Sequence, residues 1–162
     1  MSIPLRFETS LECFSGANKL STKERELWQA AQQATQTAYA PYSGFKVGAS
    51  VLLEDGTIIF VSNQENASYP QGLCAERVAL FSTGSQHPEK IIKAVAIAAL
   101  DAKTGQFCAV TPCGGCRQVM LEFEQKQGQA IRVLFPGKDE EVMVAESIKV
   151  LLPFGFQSSK LR

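Results

Sequence analysis

The sequence predicts a three-layer α/β/α domain on a mixed five-stranded sheet, and three observations carry that expectation. Runs rich in β-branched residues interleave with segments of helical periodicity along the 162 residues, the order that packs helices on the faces of a sheet. Asp55-Gly56 separates two of the β-rich runs, the signal of a tight hairpin between antiparallel neighbours. Ile91 to Leu100 is an almost unbroken series of β-branched residues and alanine, the pattern of a strand covered on both faces.

In chain order, residues 1–20 lack sustained periodicity and carry Pro4, Ser15, Gly16 and Asn18. They read as an extension that packs on the domain, which is expected over residues 21–162. Ser21 with Glu24 forms a capping box, and Leu27, Ala31, Ala34 and Ala38 recur at helical spacing until Pro41, predicting a helix over 22–38. Phe45 to Leu53 and Thr57 to Val61 are the hairpin strands. After the polar loop Asn63 to Gly72, a short helix from about Leu73 to Ser82 puts Cys74 and Glu76 in its first turn, where the helix dipole favours a thiolate. A second helix begins at Pro112-Cys113 and runs to Gly128, with Val119, Met120 and Phe123 on its apolar face. Ile131 to Phe135 and Glu141 to Val144 are the last two strands. Ile148 to Phe156, interrupted by Pro153 and Gly155, predicts a short helix and a docked tail. No internal repeat or low-complexity segment is visible.

Sixteen basic and sixteen acidic side chains give a formal net charge of zero, so the overall balance carries no footprint for nucleic acid or an anionic membrane. A small neutral or weakly charged substrate fits better. The first residues lack a basic region followed by an apolar stretch, and the longest apolar run, Ala94 to Leu100, is too short to span a bilayer. A soluble cytoplasmic protein is expected. Five cysteines, an odd count, do not suggest a secreted disulfide framework, and a reducing compartment keeps thiolates available for metal. Cys108 reads as a small buried apolar residue and Cys13 as an incidental thiol.

The remaining three cysteines carry the chemistry. Cys113 and Cys116, three apart, can face one ion from the first turn of a helix, and Cys74 supplies a third ligand from a distant segment. Three protein ligands leave the fourth position of zinc open, which separates a catalytic from a structural site. Glu76, two residues beyond its ligand, is placed to move the proton of a water there. A structural zinc site would want a fourth ligand, and the sequence offers no convincing one. The sole histidine, His87, precedes Pro88 in an expected surface loop, which also counts against a Ser-His-Asp hydrolase. A redox reading of Cys113-x-x-Cys116 leaves Cys74-x-Glu76 unexplained. A nonenzymatic zinc-binding module remains a third class.

Four ordered motifs then coincide: Tyr39-Ala40-Pro41-Tyr42-Ser43-Gly44-Phe45-Lys46-Val47-Gly48-Ala49, Asn63-Gln64-Glu65-Asn66-Ala67-Ser68-Tyr69, Cys74-Ala75-Glu76-Arg77 and Pro112-Cys113-Gly114-Gly115-Cys116-Arg117-Gln118. Together they resemble the short, homotetrameric class of cytidine deaminases over roughly residues 22–156. Gln64 departs from the family pattern, which usually has an aliphatic residue there. The resemblance implies a cytidine deaminase-like fold, one zinc ion per subunit, and hydrolytic deamination of cytidine and deoxycytidine to the uracil nucleosides plus ammonia in pyrimidine salvage. Glu76 would take a proton from the activated water, pass it to ring N3 and assist the departing amine. Three thiolates on a dication leave net negative charge, which Arg77, as main compensator, and Arg117 are suited to offset. The resemblance further implies that Phe45 packs on the pyrimidine, that Asn63 and Glu65 bind the ribose 3'-hydroxyl, and that the Ala75 N–H holds the C2 carbonyl. Phe156 would be contributed to the site of a neighbouring subunit in the tetramer. Within the deaminases, an enzyme acting on a cytosine-bearing antibiotic such as blasticidin S is the alternative, and Arg77 with the Asn63/Glu65 pair favours the nucleoside. Editing of polynucleotide cytosines fits poorly with zero net charge.

Overall fold

The computed structural model describes residues 2–157. Its strands are β1 (Glu12–Phe14), β2 (Phe45–Leu53), β3 (Ile58–Ser62), β4 (Ile92–Asp101), β5 (Gln106–Phe107), β6 (Arg132–Pro136) and β7 (Val142–Ala145). Its α-helices are α1 (Thr22–Ala34), α2 (Ala75–Gln86), α3 (Gly114–Gln127) and α4 (Ile148–Leu151). The sheet runs β1-β7-β6-β4-β2-β3, with β5 hydrogen-bonded to β4 off that path. Only β4 and β6 pair in parallel; the other pairings are antiparallel, so the sheet is mixed as expected. It has seven strands, not five. The two additional strands, β1 and β5, span three and two residues, too short for a period-2 pattern to show in sequence.

Strand β4 explains both its own sequence and the layering. Its Ala94, Ala96 and Ala98 face α1, packing with Leu27, Trp28 and Ala31 in one buried cluster. Its Val95 and Ile97 face the other way, into a cluster with Ala75, Ala79 and Leu80 of α2, Met120 and Leu121 of α3, and Ile148 of α4. One helix covers one face and three cover the other, and because both faces are apolar the alternation is hidden in the sequence.

The α1 layer lies unusually close. A Cβ on Gly48 of β2 would stand 2.0 Å from the Ala31 carbonyl oxygen, so only glycine lets that helix approach. Ser50, next on the same face, donates its hydroxyl to the Leu27 carbonyl at 2.6 Å. The predicted capping box is present at Ser21 and Glu24. Helix α1 stops at Ala34 and tightens into a 3₁₀ turn over Thr35–Thr37, where the Thr35 and Thr37 hydroxyls donate to the Gln32 and Ala34 carbonyls. Helix α2 extends four residues beyond the expected Ser82. Half-buried His87 is its C-cap, donating its N–H to the Thr83 carbonyl at the start of the expected loop. No helix among the described residues is long and apolar enough to cross a membrane.

Candidate active site

Helices α2 and α3 open on cysteines: Cys74 is the N-cap of α2, Cys113 the N-cap of α3, and Cys116 lies in the first turn of α3. Neither N-cap cysteine uses its side chain to cap, so the sulfurs are free to turn toward one another. The three Sγ atoms all lie within 4.8 Å of one another, with Cys113 and Cys116 at 3.4 Å. Cys116 is buried, Cys74 half-buried and Cys113 exposed.

A backbone joint sets Cys74 beside the 63–65 loop. Gln64 N–H donates to the Leu73 carbonyl at 3.0 Å and Leu73 N–H returns the bond at 2.9 Å. On the other side, Tyr39 N–H donates to Asn63 O and Glu65 N–H to Tyr39 O. Asn63 and Glu65 are thereby held between the segment leading to Phe45 and the start of α2. The sequence marked Gln64 only as a departure from a pattern, whereas its backbone joins two parts of the site.

The electrostatics separate the groups. The Cys74 thiol is lowered to about 5, first by the hydrogen bond from Cys116 and further by the Arg77 guanidinium, against the opposing effect of burial. Cys116 is pushed up, holding its proton in that hydrogen bond in a buried position. Glu76 is only 4% exposed. Burial raises its carboxyl above the ordinary range, and the Cys74 thiolate adds to the effect. It is a carboxyl suited to holding a proton and giving it up.

The donor set fits zinc. Sulfur ligands at about 2.3 Å in a tetrahedral arrangement stand about 3.8 Å apart, and the three thiols need only small adjustments to reach that spacing. Arg77 Nη2 lies 3.9 Å from Cys74 Sγ and also donates to the Gly72 carbonyl at 3.3 Å. Its Nε is buried and meets no acceptor among the described residues. Arg117 goes elsewhere: Nε donates to Pro112 O at 2.7 Å and Nη1 to Leu151 O at 2.9 Å, tying the Pro112-Cys113 turn to α4.

Asn63 is buried and its amide bridges β2, with Oδ1 accepting from Val47 N–H at 2.9 Å and Nδ2 donating to Phe45 O at 3.0 Å. One Nδ2 hydrogen and one Oδ1 lone pair remain for a ligand. Glu65 accepts from the Ser43 hydroxyl and from the Tyr42 and Ser43 N–H groups. Those bonds, the Ser43 hydroxyl foremost, hold its carboxyl below the usual range, so it stands ionised. Glu65 is half-buried and lines a cleft with Tyr42, Ser43, Asn66, Tyr69 and Gly72. Phe45 is 37% exposed at the start of β2, and Ala75 is the first residue of α2, where an N–H has no intrahelical acceptor. Phe156 is 59% exposed and joins none of these groups within the chain. A cleft beside α1 and the 136–141 loop includes none of the expected site residues.

A family model for the cytidine and deoxycytidylate deaminase zinc-binding region matches residues 21–130, and the chain belongs to that family. It is 40% identical over 129 residues to a cytidine deaminase of Halalkalibacterium halodurans, covering 80% of this chain and 90% of the relative. A cytidine deaminase of Sporosarcina psychrophila is likewise 40% identical over 130 residues, 80% of this chain and 88% of its own length. Among solved structures, a cytidine deaminase from Burkholderia pseudomallei superposes with a TM-score of 0.68 at 38% identity, over 81% of this chain and 97% of that one.

Proposed function

We propose that this protein is a zinc-dependent cytidine deaminase, converting cytidine and deoxycytidine to uridine and deoxyuridine with release of ammonia, a reaction of pyrimidine salvage. The observation that carries the reading is the pairing of three convergent thiols with a buried carboxyl at Glu76, two residues beyond Cys74.

Cys74, Cys113 and Cys116 would hold the metal, which would supply an activated water for attack at C4 of the pyrimidine, as in other zinc deaminases. Glu76 would take up a proton at its carboxylate, deliver it to ring N3 and then serve the departing amine. Arg77 offsets the negative charge of three thiolates. Arg117 supports the site indirectly, by holding the turn that carries Cys113. The Ala75 N–H fixes the C2 carbonyl, Phe45 packs on the ring, and Asn63 with ionised Glu65 binds the 3'-hydroxyl. Two sugar-binding groups already oriented by β2 and by the Tyr42-Ser43 turn reduce the ordering needed on binding.

The chain acts as a homotetramer in the cytoplasm, with Phe156 presented to the site of a neighbouring copy. Residues 21–162 form the catalytic domain and residues 1–20 an extension whose strand β1 edges the sheet. Ammonia release and the ultraviolet change on adding cytidine, deoxycytidine, cytosine and blasticidin S to zinc-replete protein test the assignment, with Glu76→Ala as control. Turnover of the two nucleosides alone, abolished in the control, is expected. Turnover of blasticidin S in preference, or of nothing despite bound zinc, overturns it.

A further inference from the structure

Phe156 combines a fixed backbone with a free ring. Its N–H donates to Gln118 Oε1 at 3.0 Å and its carbonyl accepts from Gln118 Nε2 at 2.8 Å, so one carboxamide satisfies both main-chain groups. The residue is nevertheless 59% exposed. One residue earlier the tail lies flush on α3: a Cβ on Gly155 would stand 2.2 Å from Leu121 Cδ2, so a larger residue there would push the Leu121 side chain aside. Phe154, by contrast, has its ring centroid 5.8 Å from that of Phe7 in the N-terminal extension, so it has an aromatic partner within its own chain. Phe156 has none among the described residues.

A terminal segment tethered only by its apolar side chains would bury its rings and leave its backbone to water. Here the order is reversed, and an exposed aromatic whose main chain is pinned on both polar groups is presented outward at a defined position. Gln118 lies two residues beyond Cys116, on the helix that carries two of the three thiols. The same helix therefore fixes both its own metal ligands and the ring offered to a neighbouring copy.

We propose that Gln118 is a positioning residue for nucleoside binding: its carboxamide locks the Phe156 backbone to α3, so that the ring is preset where a neighbouring active site receives it. The inference rests on the role of Phe156 given under the proposed function. Preset geometry lowers the ordering cost of substrate binding, so loss of the lock raises KM and leaves the chemical step alone.

The test compares Gln118→Leu, Phe156→Ala and the double variant in zinc-replete protein, following KM, kcat, zinc content and hydrogen exchange over residues 153–157. Gln118→Leu should raise KM roughly tenfold, as expected for two lost hydrogen bonds, with kcat and zinc content near the parent and faster exchange in the tail. In the Phe156→Ala background it should add nothing, because it acts through that ring. Gln118→Glu keeps the acceptor, loses the donor and should fall between. A raised KM in Phe156→Ala with Gln118→Leu like the parent, or additive effects in the double variant, overturns the lock alone. An unchanged KM in Phe156→Ala overturns the role of Phe156, and the positioning role falls with it.

Discussion

Arg77 brings one guanidinium nitrogen to 3.9 Å from Cys74 Sγ while holding its Nε buried without an acceptor among the described residues. A buried donor left unmatched costs on the order of 1–3 kcal/mol, while the Nη2 contact sets the guanidinium charge beside the Cys74 sulfur. Arg77→Gln removes the charge while keeping some polarity and length. It should weaken zinc retention about tenfold or more, the scale of losses when groups supporting metal ligands are removed. Competition with a chromophoric chelator measures this directly. Retention equal to the parent would show that charge compensation comes from elsewhere.

Glu76 is distinguished from its neighbours by burial and by proximity to Cys74, not by metal ligation. Its replacement should therefore separate binding of the ion from use of it. Glu76→Gln is expected to keep about one zinc per chain, since three thiols remain, while losing about 10²–10⁴-fold in kcat. Metal analysis and steady-state kinetics on the same preparation distinguish this from a carboxylate needed for zinc, which would lose both together.

Much of this arrangement was legible because its signals are local. Cys-x-Glu and Pro-Cys-x-x-Cys sit at helix starts that the surrounding periodicity reveals, and the capping box at Ser21 announces α1 directly. The missing parts depend on partners distant in sequence or on the backbone alone. The Gln64–Leu73 joint is made of main-chain groups, so no side chain advertises it. Arg117 looked like a second donor to sulfur because Leu151, whose carbonyl holds it, lies 34 residues away. Strands β1 and β5 exist because longer strands offer them an edge.

Gly48 gives a test of the helix-to-sheet contact behind the site. An alanine methyl there would meet the Ala31 carbonyl at 2.0 Å and Ala34 Cβ at 2.9 Å, and a backbone atom cannot rotate aside. Gly48→Ala should destabilise the protein by about 1–3 kcal/mol, the usual cost of overpacking, read as a lower urea midpoint with an unchanged slope. Because β2 also carries Phe45 and the bonds to Asn63, a rise in KM is expected alongside. A midpoint matching the parent would mean that α1 can shift outward without cost.

Arg132 of β6 faces three carboxylates: Glu24 of α1 at 3.0 Å, Glu12 of β1 at 3.2 Å, and Glu146 just beyond β7. Burial opposes ionisation of Glu24, but the Ser21 hydroxyl and the Arg132 charge outweigh it and hold its carboxyl below the ordinary value. Glu146 is lowered chiefly by its hydrogen bond from Arg132. A folded-state affinity for protons below that of the unfolded chain means that the contribution is fully present above the ordinary carboxylate range. It is lost as pH falls through the lowered folded values. Stability should therefore fall between about pH 5 and the lowered folded values, and Arg132→Met should flatten that part of the profile. Because these groups are partly or largely exposed, the difference between parent and variant should also shrink in high salt. Thermal melts across acidic pH at two ionic strengths measure both effects. An acid limb of equal steepness in parent and variant would place the acid sensitivity in other carboxylates and leave Arg132 as a tether of β1 to the sheet.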